Sequence, residues 1–148
     1  MSTTRIIIES IKLGTIASLA MMPFGFMFRV AELRVGHYGP KFAGLFVDDP
    51  SPLFLFAQHI VLGWVSALPV IVFFVLCRVS KLHLGWGALY GVLYYIAVNS
   101  LILPLYFGDP LPWQLGIATI IPSLVVHIVF GATLGWFGRK LYLLKVGS

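Results

Sequence analysis

Four stretches of nearly unbroken apolar sequence, near Ile11–Phe28, Leu53–Leu76, Leu84–Phe107 and Gln114–Phe137, take up most of this 148-residue chain. Each approaches the ~20 residues that a helix needs to cross a bilayer core. A soluble domain of this size still exposes about 30% of the surface of its unfolded chain. With 59% apolar and 10% charged residues, such a surface could not be kept polar, so the solvent the sequence asks for is lipid. In lipid the backbone N–H and C=O groups must be satisfied inside the protein, and apolar runs of this length do so as helices. The expected fold is therefore all-α and polytopic, a single four-helix transmembrane domain over residues 1–148.

The linkers carry the orientation signal. Arg5, Lys12, Arg78, Lys81, Arg139, Lys140 and Lys145 fall at one end of the spans, and only Arg29, Arg34 and Lys41 at the other. The end richer in basic residues is expected to be cytoplasmic, with both termini on that side. Asp48, Asp49 and Asp109 then lie at the outer face, where they could draw cations or, as Asp-Pro turns, cap helices. Arg29 and Glu32 stand one helical turn apart and are expected to pair. The segment from Arg5 through GTIASLA has the flavour of a secretory signal and is read as the first span. A net charge of +5 without a basic cluster flanked by stacking aromatics excludes a nucleic-acid surface. The one cysteine, Cys77, excludes an intrachain disulfide and a Cys-based metal site.

The chain also repeats itself. HIVLG at 59–63 returns as HIVFG at 127–131, DPSP at 49–52 as DPLP at 109–112, and IKLG at 11–14 as LHLG at 82–85. Each half, about 11–77 and 82–138, reads as a crossing, a turn and a return. A unit with an even number of spans ends on the side where it began. The expected architecture is thus a tandem two-helix repeat about a pseudo-twofold axis along the membrane normal. His59, Gly63 and Ala67 are four apart, as are His127, Gly131 and Gly135, so each histidine shares a helix face with small residues. Together with Gly87 and Gly91 in the third span, and Gly14 and Ser18 in the first, these permit close helix packing in lipid. Helix rise puts His59 about 9 Å and His127 and Asn99 about 12 Å below the outer ends of their spans. His59, Asn99, Ser100 and His127 are expected to share one polar layer.

An intramembrane polar residue is a functional candidate by default. For Asn99 and Ser100 the plainer reading is preferred: they bond carbonyls released by Pro104. For the histidine pair, repetition on matching faces exceeds what helix adhesion requires. No Ser-His-Asp arrangement, embedded carboxylate pair or HExxH motif supports an enzyme.

KLHLGWGALYGVLYYIAVNSLILPLYFGDPLPW (81–113) and VHIVFG (126–131) resemble the YagU-like bacterial inner-membrane proteins, a family of unassigned molecular function; the likeness extends thinly to QHIVLGW (58–64). The resemblance implies a small multi-pass protein of the bacterial inner membrane. It matches His59 and His127 to the family's two span histidines and carries no catalytic role. This chain is shorter, and Asn99 stands where another histidine is expected, which weighs against a three-histidine metal site.

Three functions are open to such a chain. Transport or permeation of a small solute, ion or proton past the histidine pair ranks first, with a homodimer supplying further spans. A non-catalytic accessory subunit, bound to a partner membrane subunit, comes next. The remaining alternative is a b-type haem held between His59 and His127, with Gly63 and Gly131 leaving room for its ring; otherwise no cofactor or metal is expected.

Overall fold

The computed structural model describes residues 2–76 and 83–146, the side chains at 74, 75 and 139–146 excepted. It is all-α: α1 (Thr3–Val30), α2 (Tyr38–Ala43), α3 (Pro52–Leu76), α4 (Leu84–Tyr94), a π-helix (Tyr95–Ile102), α5 (Leu103–Phe107), α6 (Pro112–Leu115) and α7 (Ile117–Val146), with no strand among the described residues. Four segments are long and apolar enough to cross a membrane: Thr3–Val30, Pro52–Phe73, Leu84–Phe107 and Ile117–Gly138. Only 22–28% of each apolar window is buried inside the molecule. The rest faces outward, with Phe26, Val65, Leu93 and Leu105 all more than half exposed, and that surface needs a lipid surrounding.

Local chemistry sets the boundaries. Ser51, at the end of the first Asp-Pro turn, accepts a hydrogen bond from Phe54 N–H (3.2 Å) and caps α3, with Pro52 at its first position. At the second turn the Gln114 side chain accepts from Leu111 N–H (2.8 Å). The expected caps Asp49 and Asp109 thus yield to residues nearer the helix starts. Gly116, at φ 93°, ends α6, so the fourth crossing starts at Ile117 rather than at Gln114. The first crossing begins earlier than the apolar run, at Thr3. Arg29 and Glu32 form no ion pair among the described residues: Glu32 leaves the helix with φ 57°, which turns it out of helical register.

The third crossing is interrupted. Pro104 has no N–H for the Ser100 carbonyl and its ring crowds that oxygen. The preceding turns widen to π-type bonding, as in Leu103 N–H to Val98 C=O.

Glycines set how the helices meet. α1 runs against α3 where Gly14 and Ser18 face Gly63, and α4 runs against α7 where Gly87 and Gly91 face Gly131 and Gly135. A methyl group on Gly131 would fall 2.6 Å from the Gly91 nitrogen, so backbone rests on backbone. Of the repeated Leu-Gly pairs, Gly14 packs as expected, but in LHLG it is Gly87, two residues on, that makes the contact; a methyl on Gly85 would meet only the neighbouring His83 ring. A third interface joins α1 to α7, and one core gathers Leu13 and Ala17 of α1, Ala67, Val70 and Ile71 of α3, and Phe130 and Leu134 of α7. The extensive helix contacts thus run in the order α3, α1, α7, α4. Between α3 and α4, side chains make the bridge.

Candidate functional site

That bridge and the π-helix collect the polar side chains of the spans. His127, on α7, is held at both ring nitrogens: Nδ1 lies 2.6 Å from the Ser123 carbonyl and Nε2 lies 2.8 Å from Asn99 Nδ2. A carbonyl only accepts, so Nδ1 carries the hydrogen; Nε2 then accepts from the amide. This is a neutral imidazole in one tautomer. The π-helix makes the second bond possible by changing the register of the third crossing just where Asn99 sits. Asn99 therefore serves the histidine, not the carbonyls near Pro104 as expected. Ser100 is buried in the same π-helix, 3% exposed.

Aromatic rings enclose His127. Tyr94 stacks on it (centroids 5.7 Å apart, planes at 21°), and Tyr95 lies tilted against it at 5.8 Å. Tyr94 also reaches α3, where its hydroxyl accepts from Ser66 Oγ (2.8 Å), while Tyr90 donates to the Ser66 carbonyl. Tyr95 is 5% exposed, and its hydroxyl is buried without a hydrogen-bond partner.

His59 is used differently. Its Nε2 lies 3.2 Å from the Ser18 carbonyl of α1, so it ties α3 to α1. The hydrogen bonds of the two imidazoles go to different elements. Gly63 and Gly131 are covered by the backbones of α1 and α4. The space beside them, which a haem ring would need, is filled, and His127 has no nitrogen to spare for iron. Among the described residues no group of three metal-ligating side chains occurs.

At the α2 end of the bundle, Asp109 joins the two connecting segments. Lys41 Nζ lies 2.5 and 2.6 Å from its carboxylate oxygens, and His37 Nε2 lies 3.4 Å away. Lys41 sits over the Phe107 ring at 5.7 Å, and Tyr38 stacks on the same ring. The Lys41 hydrogen bond, aided by the charges of Lys41 and His37, holds the Asp109 carboxyl below its usual pKa. Burial, with the nearby charges of Arg34 and Lys41, lowers that of His37. Gln58 donates to the Gly39 carbonyl (2.9 Å) and seats α2 on α3.

Of the residues expected in one layer, the structure joins His127 and Asn99 directly and assigns His59 to another contact. Ser66, Tyr90, Tyr94 and Tyr95 escaped sequence reasoning, although GALYGVLY, 87–94, places a tyrosine three residues after each packing glycine. The Trp64–Thr15 hydrogen bond (2.8 Å) between α3 and α1 was also missed. Cys77, Arg78 and Lys81 lie outside the described residues. No protein-family model matches the chain, nor does any curated protein or solved structure.

Proposed function

We propose that the chain is a multi-pass protein of the bacterial inner membrane, YagU-like in kind, with both termini cytoplasmic, that lets a small solute pass along the seam between α3 and α4. The observation that carries this reading is where the polar groups lie. Ser66, Tyr90 and Tyr94 hydrogen-bond between α3 and α4, and Tyr94 carries the run on to α7 by stacking on His127, which Asn99 of the π-helix meets. From Tyr90 to Asn99 the seam runs about 13 Å along the helix axis, a substantial part of the ~30 Å hydrocarbon core. A histidine inside a span that faces the interior rather than lipid is a functional candidate by default. A second copy of the chain would add spans to what four helices supply.

Purified protein in proteoliposomes tests this. Solute-driven volume change, followed by light scattering, should fall in His127→Ala and less in His59→Ala, whose ring serves α1. Equal flux in wild type and both variants removes the histidines from the pathway. The accessory-subunit reading draws support from the three tightly packed helix interfaces, which bind the bundle without requiring any traffic through it. Co-purification of one stoichiometric membrane partner, with no flux, would favour it.

A further inference from the structure

We infer that the Tyr95 hydroxyl and the Asn99 side-chain carbonyl form a binding site for a small neutral molecule bearing an O–H or N–H donor, water being the smallest member of that class. This deepens the permeation reading by naming what the seam accepts, and it rests on that reading only for transit, not for occupancy.

The Tyr95 hydroxyl is fully enclosed in a residue that is 5% exposed, yet it makes no hydrogen bond. A native interior seldom tolerates that; such groups are met by a bound water or ligand when the surroundings are polar. The surroundings here are polar. Asn99, four residues on, spends one amide hydrogen on His127 (2.8 Å), and its carbonyl oxygen has no hydrogen bond among the described residues. Both side chains lie against the same imidazole, since Tyr95 packs on the His127 ring at 5.8 Å. The site therefore offers one group that can donate or accept and one that only accepts. Its guest must donate at least one hydrogen.

Charge decides the class. His127 is committed as a neutral tautomer by its two bonds, and no Asp, Glu, Lys or Arg occurs between Leu84 and Phe107 or between Ile117 and Gly138. An ion placed here would have no counter-charge to offset its lost hydration. Tyr94 and Tyr95 supply flat apolar walls. A neutral alcohol, amide or water meets each of these requirements.

The test is Tyr95→Phe, which removes one oxygen and keeps the ring. If the hydroxyl were truly unpaired, its deletion would relieve a buried polar group, and the melting temperature in detergent would rise. With a guest bonded to it, deletion strands the guest, and the melting temperature should fall by about 2–4 °C, the scale for a chain of this size. An unchanged or raised value overturns the site. Proteoliposomes challenged with glycerol, urea and potassium chloride then separate the two readings. Glycerol or urea flux reduced tenfold in Tyr95→Phe, with no potassium flux, is the expected result. A lowered melting temperature without flux of any solute in wild type leaves the site as a trapped-water site and removes permeation. Potassium flux that Tyr95→Phe abolishes overturns the neutral class.

Discussion

Replacing Gly131 by alanine should push α4 and α7 away from each other. A methyl group at that position falls 2.6 Å from the Gly91 nitrogen, 2.9 Å from the Gly91 Cα and onto the Gly87 carbonyl oxygen. All three are backbone atoms, so no rotamer change can make room. Ordinary contact between such atoms is about 3.5–4.0 Å, so α4 must move from α7 by roughly 1 Å, and a gap of that size forfeits up to about half of each dispersion contact along the seam. Overpacking of this kind costs ~1–3 kcal/mol. Alanine returns ~0.5–1 kcal/mol of helix propensity, so the net loss is on the order of 1–2 kcal/mol and a fall of several degrees in melting temperature. Gly25→Ala is the control, because nothing lies within 4 Å of its added methyl; it should gain the propensity term alone. Gly85→Ala and Gly87→Ala refine the comparison, the first tolerated and the second not, since only Gly87 touches Gly135 and the Gly131 carbonyl. Thermal unfolding of the four variants in one detergent decides the matter. A Gly131→Ala protein as stable as Gly25→Ala would refute the backbone-on-backbone interface.

Asn99→Leu leaves His127 Nε2 as a buried acceptor with no donor and should cost ~1–3 kcal/mol, whereas Asn99→Leu with His127→Phe should recover much of that loss, because removing both partners strands neither; chemical denaturation of the two variants checks it, and equal losses would break the pairing. The α2 end should loosen on acidification. The folded pKa of His37 is lowered, so its contribution is full above about pH 6.5, its unfolded value, and is lost as pH falls from there through the folded value. Asp109, also lowered, keeps its contribution above about pH 3.9 and loses it as pH falls through its folded value. Melting temperature should therefore decline in two steps on acidification, with Asp109→Asn removing the lower one; a flat profile from pH 7 to 5 would contradict the His37 step.

The four crossings were legible because length and hydropathy are local quantities, and continuous apolar runs of about 20 residues suit a spanning helix rather than the short alternating strands of a barrel. The packing glycines Gly63, Gly131, Gly135, Gly87 and Gly91 were legible for the same reason, since spacing of four on a helix fixes a shared face. What spacing could not give was register between helices. Leu-Gly at 84–85 copies Leu-Gly at 13–14, yet a contact depends on where two helices cross, and Gly87 is the residue that meets α7. Asn99 shows a second limit. On a regular α-helix its direction follows from counting, but the π-helix ahead of Pro104 adds a residue to each turn and re-aims it at His127. The Lys41–Asp109 pair joins residues 68 apart, and nothing in either neighbourhood announces the other.

The asymmetry of the bundle bears on where its chemistry collects. Two equal hairpins about a true twofold would make the α1–α7 and α3–α4 sides alike. Instead the first is closed by a purely apolar contact, Leu13 and Ala17 with Phe130 and Leu134. On the second, Tyr90 and Tyr94 stand between the helices and reach the Ser66 backbone and hydroxyl. A tyrosine is too long for a close crossing, and its hydroxyl needs a partner when buried, so the same residues that wedge this side also make it polar. The α4 positions that pack on α7 are glycines, three residues before each tyrosine, so tight contact and wedge arise on adjoining stripes of one short sequence, GALYGVLY. Exchanging Tyr90 and Tyr94 together for phenylalanine keeps the rings of the seam and removes their hydrogen bonds. The variant should fold, for the glycine interface is untouched, and lose solute flux; retained flux would place any pathway elsewhere in the bundle.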